Sequence, residues 1–179
     1  MDAELIRKKL TLAHVEVLLL ALSLLATVVI SALTLRQTTR HFEIERTSSF
    51  VARFNGKEMV ELREHVDRWI ETKEAPASLY ERSLVVDSAG LPVEDAKAPI
   101  EDIARLRTMA NYFQELGTAL EIGSLDEEYV HELLGAVCIR YADSLEAFIE
   151  ETRRRRKRPQ AYEQVFVLRA RMEALDAKQ

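Results

Sequence analysis

The longest hydrophobic segment of the chain covers residues 17–35, nineteen positions without a charged side chain. A helix of this length spans roughly 28 Å, close to the ~30 Å hydrocarbon core of a bilayer. The segment is longer than the ~7–15 residues usual for a signal-peptide core, and no small-x-small cleavage site follows it. We therefore predict an uncleaved transmembrane helix that crosses the membrane once, with a signal peptide as the alternative.

Positive side chains flank this segment on both sides, and they favour the cytoplasmic face of a membrane. Those before it are Arg7, Lys8 and Lys9, and those after it are Arg36, Arg40, Arg46 and Arg53. The small excess after the segment places the soluble part in the cytoplasm.

Hydroxylated residues recur on one face of the predicted transmembrane helix, namely Ser23, Thr27, Ser31 and Thr34. Small residues let helices approach closely in lipid, so this stripe predicts self-association into a homo-oligomer. The alternative is that each hydroxyl bonds the carbonyl group four residues earlier in its own helix. No acidic ring or arginine series runs through the segment, so an ion pathway has no strong sequence support.

Apolar residues at three- and four-residue spacing continue beyond the membrane segment and predict an all-α soluble part. No glycine or proline occurs between residue 10 and Phe54, so the first helix is expected to continue to that point. Asn55 and Gly56 then form a break, with Asn55 capping a second helix and Glu58 completing a capping box. Residues 73–99 contain three of the four prolines and are expected to form a long loop, with a short extended piece at residues 83–86.

A third helix is expected to begin after Pro99. Its apolar seam consists of Ile103, Leu106, Ala110, Phe113, Gly117 and Leu120. Gly117 would allow close approach of another helix, and Gly123 would end this one.

Residues 124–127 match a second capping box for a fourth helix that runs to about residue 158. Pro159 suits the first position of the last helix. The fold class is thus all-α, an N-terminal transmembrane helix continuing into a small antiparallel helical bundle. The segments are a tail (1–16), a transmembrane helix (17–35), a juxtamembrane and second helix (36–72), a loop (73–99), and a helical hairpin with a C-terminal helix (100–179).

The amino-acid composition argues against several classes of fold and function. Five glycines and four prolines in 179 residues are too few for the frequent turns of an all-β fold. The single cysteine, Cys138, excludes an internal disulfide and a cysteine-rich metal site. The net charge of −5 argues against bulk binding of nucleic acid.

Signatures of catalysis are weak. The sequence has no glycine-rich phosphate loop and no nucleophile elbow. Glu128 and His131 form one Glu-x-x-His, whereas a di-iron bundle needs two such motifs and two further glutamates, for which Glu115 is one candidate. Cys138 lies seven residues from His131, but its apolar neighbours predict an inert thiol. We therefore predict no catalytic residues, no metal site and no cofactor.

Six consecutive basic residues end the predicted fourth helix: Arg153, Arg154, Arg155, Arg156, Lys157 and Arg158. Some of them complement the helix dipole. The run is a candidate contact for an anionic surface, either lipid or acidic protein. Aromatic residues that would stack on bases are not interleaved with it, so nucleic acid is not an expected partner.

A series of motifs resembles a known bacterial family. They are Phe54-Asn55, the segment Asn111-Tyr112-Phe113-Gln114-Glu115-Leu116-Gly117, the turn from Gly123 to Glu127, Arg140-Tyr141, and the helix with Pro159 and Tyr162. Their order is similar to that of the bacterial domain-of-unknown-function family 4760, over about residues 15–175. The family has no established activity, so the resemblance implies only the helical fold and membrane association, here with a bacterial inner (plasma) membrane.

Polar groups within a packed helix need partners, which makes Asn111, Tyr112 and Glu115 candidates for partner binding. Arg140 and Tyr141 are further candidates for partner binding. The alternative for Asn111, Tyr112 and Glu115 is that they cap or brace the bundle. We expect a membrane-anchored scaffold or sensor module that self-associates in the bilayer and binds an unidentified protein. The alternatives are an oligomeric membrane-perturbing or pore-forming effector, for example in phage defence, and a nuclease-like helical enzyme.

Overall fold

The computed structural model describes the backbone of residues 3–85 and 94–178 and the side chains of residues 18–85 and 96–178. These residues form helices and no strand, which confirms the all-α prediction. The helices are α1 (Ala3–Asn55), α2 (Lys57–Thr72), α3 (Pro76–Arg82), α4 (Glu94–Glu121), α5 (Glu127–Arg156) and α6 (Glu163–Asp176). The side chains of Arg7, Lys8 and Lys9, and residues 86–93 of the predicted loop, lie outside the described residues.

The chain divides into two compact units, Met1–Phe42 and Glu43–Gln179. The first unit holds the apolar part of α1. Among the described helices, α1 is the one long and apolar enough to cross a membrane, with a mean hydropathy of 2.5 over a window that is not buried at all. A signal sequence near an N-terminus has the same properties. The helix continues without interruption to Asn55, as the lack of glycine and proline predicts.

The second unit is a bundle with α4 at its centre, in contact with α2, α3, α5 and α6. The predicted seam of α4 is confirmed, since all six of its residues are buried. From the neighbouring helices, the largest fully buried side chains include Val66, Leu79, Phe148 and Leu168. Their burial supplies most of the stability of such a bundle.

Gly117 lies at a close approach of α4 to α6. A Cβ atom there would lie under 3.0 Å from the carbonyl oxygen of Gln164, nearer than real Cβ contacts. The predicted close approach is therefore confirmed, and its partner is α6. Gly123 also has the predicted role, because its φ of 67° ends α4 in the left-handed conformation that favours glycine.

The predicted loop at residues 73–99 is wrong in two places. Pro76 stands in the first turn of α3, where a missing backbone N–H costs nothing, and Leu79 and Tyr80 of this short helix are buried. α4 begins at Glu94 and includes Pro99 instead of starting after it. A proline so near the start of a helix removes one backbone hydrogen bond, and the packing of the buried Ala96 stabilises the preceding turn.

The expected extended piece is also wrong, because Ser83 and Leu84 form a turn. The Ser83 amide donates to the carbonyl oxygen of Leu79 at 3.2 Å, which closes the end of α3.

The predicted N-terminal caps of α2 and α5 are wrong, although the helices themselves are present. The N-cap of α2 is Gly56, without a side-chain hydrogen bond, because Asn55 is still part of α1. Asp126 caps α5 by accepting from the Tyr129 amide at 2.9 Å. The Ser124 hydroxyl instead donates to the carbonyl oxygen of Ala119 at 2.9 Å, so it closes the end of α4.

The connection between α5 and α6 also differs from the prediction. α5 ends at Arg156, with Lys157 in the left-handed conformation at φ 52°. α6 begins at Glu163, so Pro159 lies in the connecting turn and not at the first helical position.

Replacement of Gly117 by alanine should destabilise the bundle. Alanine improves helix propensity by about 0.5–1 kcal/mol, but the backbone of α6 must move away at an overpacking cost of about 1–3 kcal/mol. We expect a net loss of about 1 kcal/mol, measured by urea denaturation of the full chain in detergent. The exposed neighbour Thr118→Ala is the matched control and should stay near wild type. A neutral G117A would contradict the tight crossing.

Candidate functional site

A groove of about 600 Å³ lies between the end of α1, the start of α2 and the middle of α4. Asn111, Tyr112 and Glu115 all line it, so the structure brings together the three α4 residues predicted to bind a partner. The remaining lining residues are Arg53, Gly56, Lys57, Glu58, Met59, Leu62 and Thr108. A volume of this size is typical of ligand and peptide pockets.

Arg53 organises one wall of the groove. Its guanidinium carbon lies 4.9 Å from the ring centre of Phe50 and 4.8 Å from that of Tyr112. Its Nη2 atom donates to Glu115 at 2.7 Å, with the two side chains 50% and 56% exposed. Since exposed ion pairs contribute little to stability, this pair is free to exchange for contacts with a bound molecule.

Tyr112 forms the floor of the groove and is itself buried. Its hydroxyl donates to the backbone carbonyl of Phe50 at 3.0 Å, and burial raises its pKa far above the usual range. Tyr112 therefore braces α4 against α1 through a neutral phenol. Asn111, in contrast, is exposed at the rim.

Arg140 and Tyr141 lie outside this groove. Both donate to the same Asp67 oxygen on α2, each at 2.9 Å. Burial, together with this hydrogen bond, raises the pKa of Tyr141 to about 12. These contacts connect α5 to α2.

A second, polar cavity of about 400 Å³ adjoins the groove and shares Glu58 and Leu62 with it. His65 lies 3.2 Å from Asp102, and Arg105 contacts both His65 and Asp102. No sequence pattern predicts this cluster, because its members come from α2 and α4 and have no shared motif.

The six basic residues at the end of α5 divide into two sets. The first three form ion pairs with carboxylates of α5 itself: Arg153 bonds Glu150 at 2.7 Å, while Arg154 and Arg155 bond Glu151 at 2.6 and 2.5 Å. Arg156, Lys157 and Arg158 are exposed and form no ion pair with the described carboxylates. The predicted anionic contact therefore narrows to these last three.

Glu151 is the centre of the first set. Its side chain is only 12% exposed. Hydrogen bonds from Arg154, and then from Arg155, lower its pKa to about 2.

Cys138 and His131 do not form a nucleophile pair. The Cys138 side chain is buried at 1% exposure, and burial raises its pKa to about 12. A thiol in this state is inert at neutral pH. His131 instead bonds Asp176 on α6 at 2.7 Å, and Glu115, the candidate on the preceding helix, pairs with Arg53. The described residues contain no group of three or more potential metal ligands close enough to hold an ion.

In the hydroxyl stripe of α1, both threonines donate a hydrogen bond to a carbonyl oxygen of their own helix. Thr27 donates to the carbonyl oxygen of Ser23 and Thr34 to that of Ile30, each at 2.9 Å. Their hydroxyl hydrogens are therefore used within the helix.

Two buried threonines were missed by sequence reasoning. Thr47 donates to the carbonyl of Glu43 at 2.8 Å and accepts from the Asp126 amide at 3.2 Å. Thr152 donates to the carbonyl of Phe148 and bonds the Tyr80 hydroxyl, each at 2.8 Å. Because threonine is common on exposed helix faces, no local pattern distinguishes these two.

Comparison with known families gives one result. The family described as Domain of unknown function (DUF4760) matches residues 21–172. The chain belongs to this family. The match extends from α1 into α6, so the groove residues and the basic run are all part of the DUF4760 region. The resemblance inferred from Asn111–Gly117 and its neighbouring motifs is confirmed. Neither the curated proteins nor the solved structures gave a match to this chain.

The Glu151 cluster predicts a loss of stability in acid. The pKa of the Glu151 carboxyl in the folded protein lies below the ordinary 4.5. The contribution of this carboxylate to the free energy of unfolding is therefore complete above pH 4.5 and is lost as the pH falls towards 2. We expect Glu151→Gln to lower the unfolding free energy at pH 7 by about 1 kcal/mol and to have little effect near pH 2.

Urea denaturation across this pH range measures the effect. Glu150→Gln is the matched control, since Glu150 is 59% exposed and pairs with Arg153. A difference between E151Q and wild type that stays the same at pH 7 and pH 2 would contradict the assignment.

Proposed function

We propose that this protein is a membrane-anchored helical module whose groove binds a segment of a partner protein. The observation that carries the proposal is the convergence of Asn111, Tyr112 and Glu115 on one groove beside Arg53. The proposal contains no catalytic step.

The chemistry of the groove fits a peptide with both apolar and charged side chains. Met59 and Tyr112 are buried and Leu62 is half-buried, which provides an apolar floor. The rim carries charges of both signs, from Arg53 and Lys57 on one hand and from Glu58 and Glu115 on the other. Apolar anchoring with a polar rim is the usual arrangement of protein-binding surfaces.

The composition of α1 supports a membrane anchor. Its large apolar side chains between Leu18 and Leu35 are exposed, and such a continuous surface is unfavourable in water. Arg36, Arg40, Arg46 and Arg53 follow it, which favours a cytoplasmic bundle. We therefore place the protein in a bacterial inner membrane, with α1 crossing it once.

Self-association through α1 completes the proposal. Ser23, Thr27, Ser31 and Thr34 provide small side chains on one face, and the Thr27 and Thr34 hydroxyls already have acceptors. Close packing, more than hydroxyl bonding between helices, would then hold the homo-oligomer together.

A photo-crosslinking amino acid at Asn111 should capture a partner in native membranes. The residue is exposed at the rim, so the change leaves the core intact. We expect a discrete adduct on denaturing gels, identified by mass spectrometry. The same probe at Glu132, exposed on α5, is the matched control.

A variant that obstructs the groove provides a second test of the Asn111 adduct. Thr108→Trp should fill part of it and reduce the Asn111 adduct several-fold. Equal labelling at Asn111 and Glu132, or an adduct that T108W does not reduce, would disprove specific binding in the groove.

Replacement of all four stripe residues by leucine should abolish the oligomer. Bulkier side chains keep the helices apart, so the mass measured by light scattering in detergent should fall to that of a monomer. Ala21→Leu with Ala32→Leu, on the opposite face of α1, is the control and should keep the wild-type mass. An unchanged mass in the quadruple variant would contradict self-association through this face.

A further inference from the structure

A second groove, of about 530 Å³, lies between the C-terminal part of α5 and α6, and we call it the α6 groove. Phe166 and Val167, both half-buried, provide its apolar lining together with Pro159 and Ala170. It shares no lining residue with the groove around Asn111. It is therefore a separate surface of the bundle, which the proposed partner contact leaves unused.

Negative charge is in excess around the α6 groove. Five carboxylates either line it or bond an arginine that lines it, whereas two arginines line it. The carboxylates are Glu146, Glu150 and Glu163 in the lining and Asp143 and Glu173 at its edge, and the arginines are Arg153 and Arg169. Five negative charges against two positive ones leave an excess of three.

The two lining arginines already have partners. Arg153 bonds Glu150 at 2.7 Å and the Ala161 carbonyl oxygen at 2.8 Å, and Arg169 bonds Asp143 at 2.8 Å. The guanidinium carbons of both also lie near the Phe166 ring centre, at 4.9 and 5.6 Å. The excess negative charge is therefore available to cations from outside the groove.

The basic end of α5, which consists of Arg156, Lys157 and Arg158, is the opposite case. Its three cations are exposed and form no ion pair with the described carboxylates, so their number equals the excess of negative charge around the α6 groove.

The basic end does not fill the α6 groove of its own chain. Lys157 has a left-handed φ of 52°, the Arg158 amide donates to the Arg153 carbonyl oxygen at 3.2 Å, and the Ala161 amide donates to that of Arg158 at 3.1 Å. These bonds hold the connection in a conformation without an ion pair between the two surfaces. The complementary charge must then come from another molecule.

We infer that the α6 groove binds the basic end of a second copy of this chain. The charges match in sign and number, and the aliphatic stems of arginine and lysine can lie on Phe166 and Val167 while their charged groups reach the carboxylates. Because every copy carries both surfaces, the contact can repeat around a homo-oligomer.

The inference rests on the self-association in the proposed function. Exposed ion pairs contribute little each, so the contact is expected to form between copies that α1 already brings together.

Zero-length crosslinking with a water-soluble carbodiimide tests the contact in the full chain in its membrane. The reagent joins an amine to a carboxylate that touches it, and Lys157 provides the side-chain amine of the basic end. We expect a crosslinked dimer on denaturing gels in which mass spectrometry finds Lys157 joined to Glu146, Glu150 or Glu163. These peptides should be depleted several-fold in the monomer band. Lys57, exposed on α2, is the control amine and should not be joined to these carboxylates.

Charge reversal connects the crosslink to the two surfaces. One variant combines Glu150→Lys with Glu163→Lys, and the other combines Arg156→Glu with Arg158→Glu and keeps Lys157. All four substituted residues are exposed, so both variants should fold. Each variant alone should lose the Lys157 crosslink several-fold, because like charges then face each other. Co-expression of the two, with different affinity tags and purification through both, should restore it, because each reversed surface then meets its opposite charge.

A matched control reverses two exposed carboxylates elsewhere on the bundle. Glu121→Lys with Glu132→Lys changes the net charge by the same amount as the groove variant and should keep the Lys157 crosslink at the wild-type level. If this control loses the crosslink as well, the effect is general charge attraction and the inference is wrong.

The remaining outcomes separate this inference from the proposed function. An oligomer in light scattering whose dimer band lacks the Lys157 crosslink overturns the inference and leaves self-association through α1 intact. Crosslinks from the groove carboxylates to a different protein, or no recovery on co-expression, also overturn it. A Lys157 crosslink between copies of a chain that is monomeric in detergent supports the contact and contradicts self-association through α1.

Discussion

The burial of α4 is the constraint on which the rest of the bundle depends. Helices α2, α3, α5 and α6 pack around it and the end of α1 contacts it, so its polar side chains must find partners on these helices or remain at the rim. Tyr112 bonds the Phe50 carbonyl, the Gln114 side chain accepts from the Gln164 amide at 3.0 Å, and Glu115 pairs with Arg53. The groove is a consequence of this arrangement, because it lies where α1 ends, α2 begins and α4 is only partly covered.

Aromatic rings connect the groove to the interior. The ring centres of Phe54 and Tyr112 are 5.5 Å apart, those of Tyr112 and Phe113 are 5.2 Å apart, and those of Phe113 and Tyr141 are 5.5 Å apart. Pairs at these distances add about 0.5–1.5 kcal/mol each beyond burial. The chain of rings ends at Asp67, the acceptor of Tyr141 and Arg140. The groove floor is thus fixed by packing, while its rim of Asn111, Arg53 and Glu115 remains exposed.

The features that the sequence predicts correctly depend on residues close to one another along the chain. The α4 seam, the close approach at Gly117 and the end of α4 at Gly123 follow from helical spacing and from glycine geometry. Pro76 and Pro99 favour a loop in the sequence, but Pro76 stands at the start of α3, where a missing N–H costs nothing, and α4 tolerates the one hydrogen bond that Pro99 removes. The ion pairs of Arg153, Arg154 and Arg155 with Glu150 and Glu151 follow helical i, i+3 and i, i+4 spacings, which the sequence itself contains. The partners of Thr47 and Thr152, distant in sequence, had no such signal.

Arg107 shows most clearly why the remaining features required coordinates. In sequence it is one of many arginines on an amphipathic helix. In the bundle its guanidinium approaches the Tyr80 ring of α3, while its Nε is enclosed without an acceptor. A contact with an aromatic ring at 6.0 Å compensates only part of the desolvation of a cation. The end of α5 adds positive charge where its C-terminal dipole already balances some of the run.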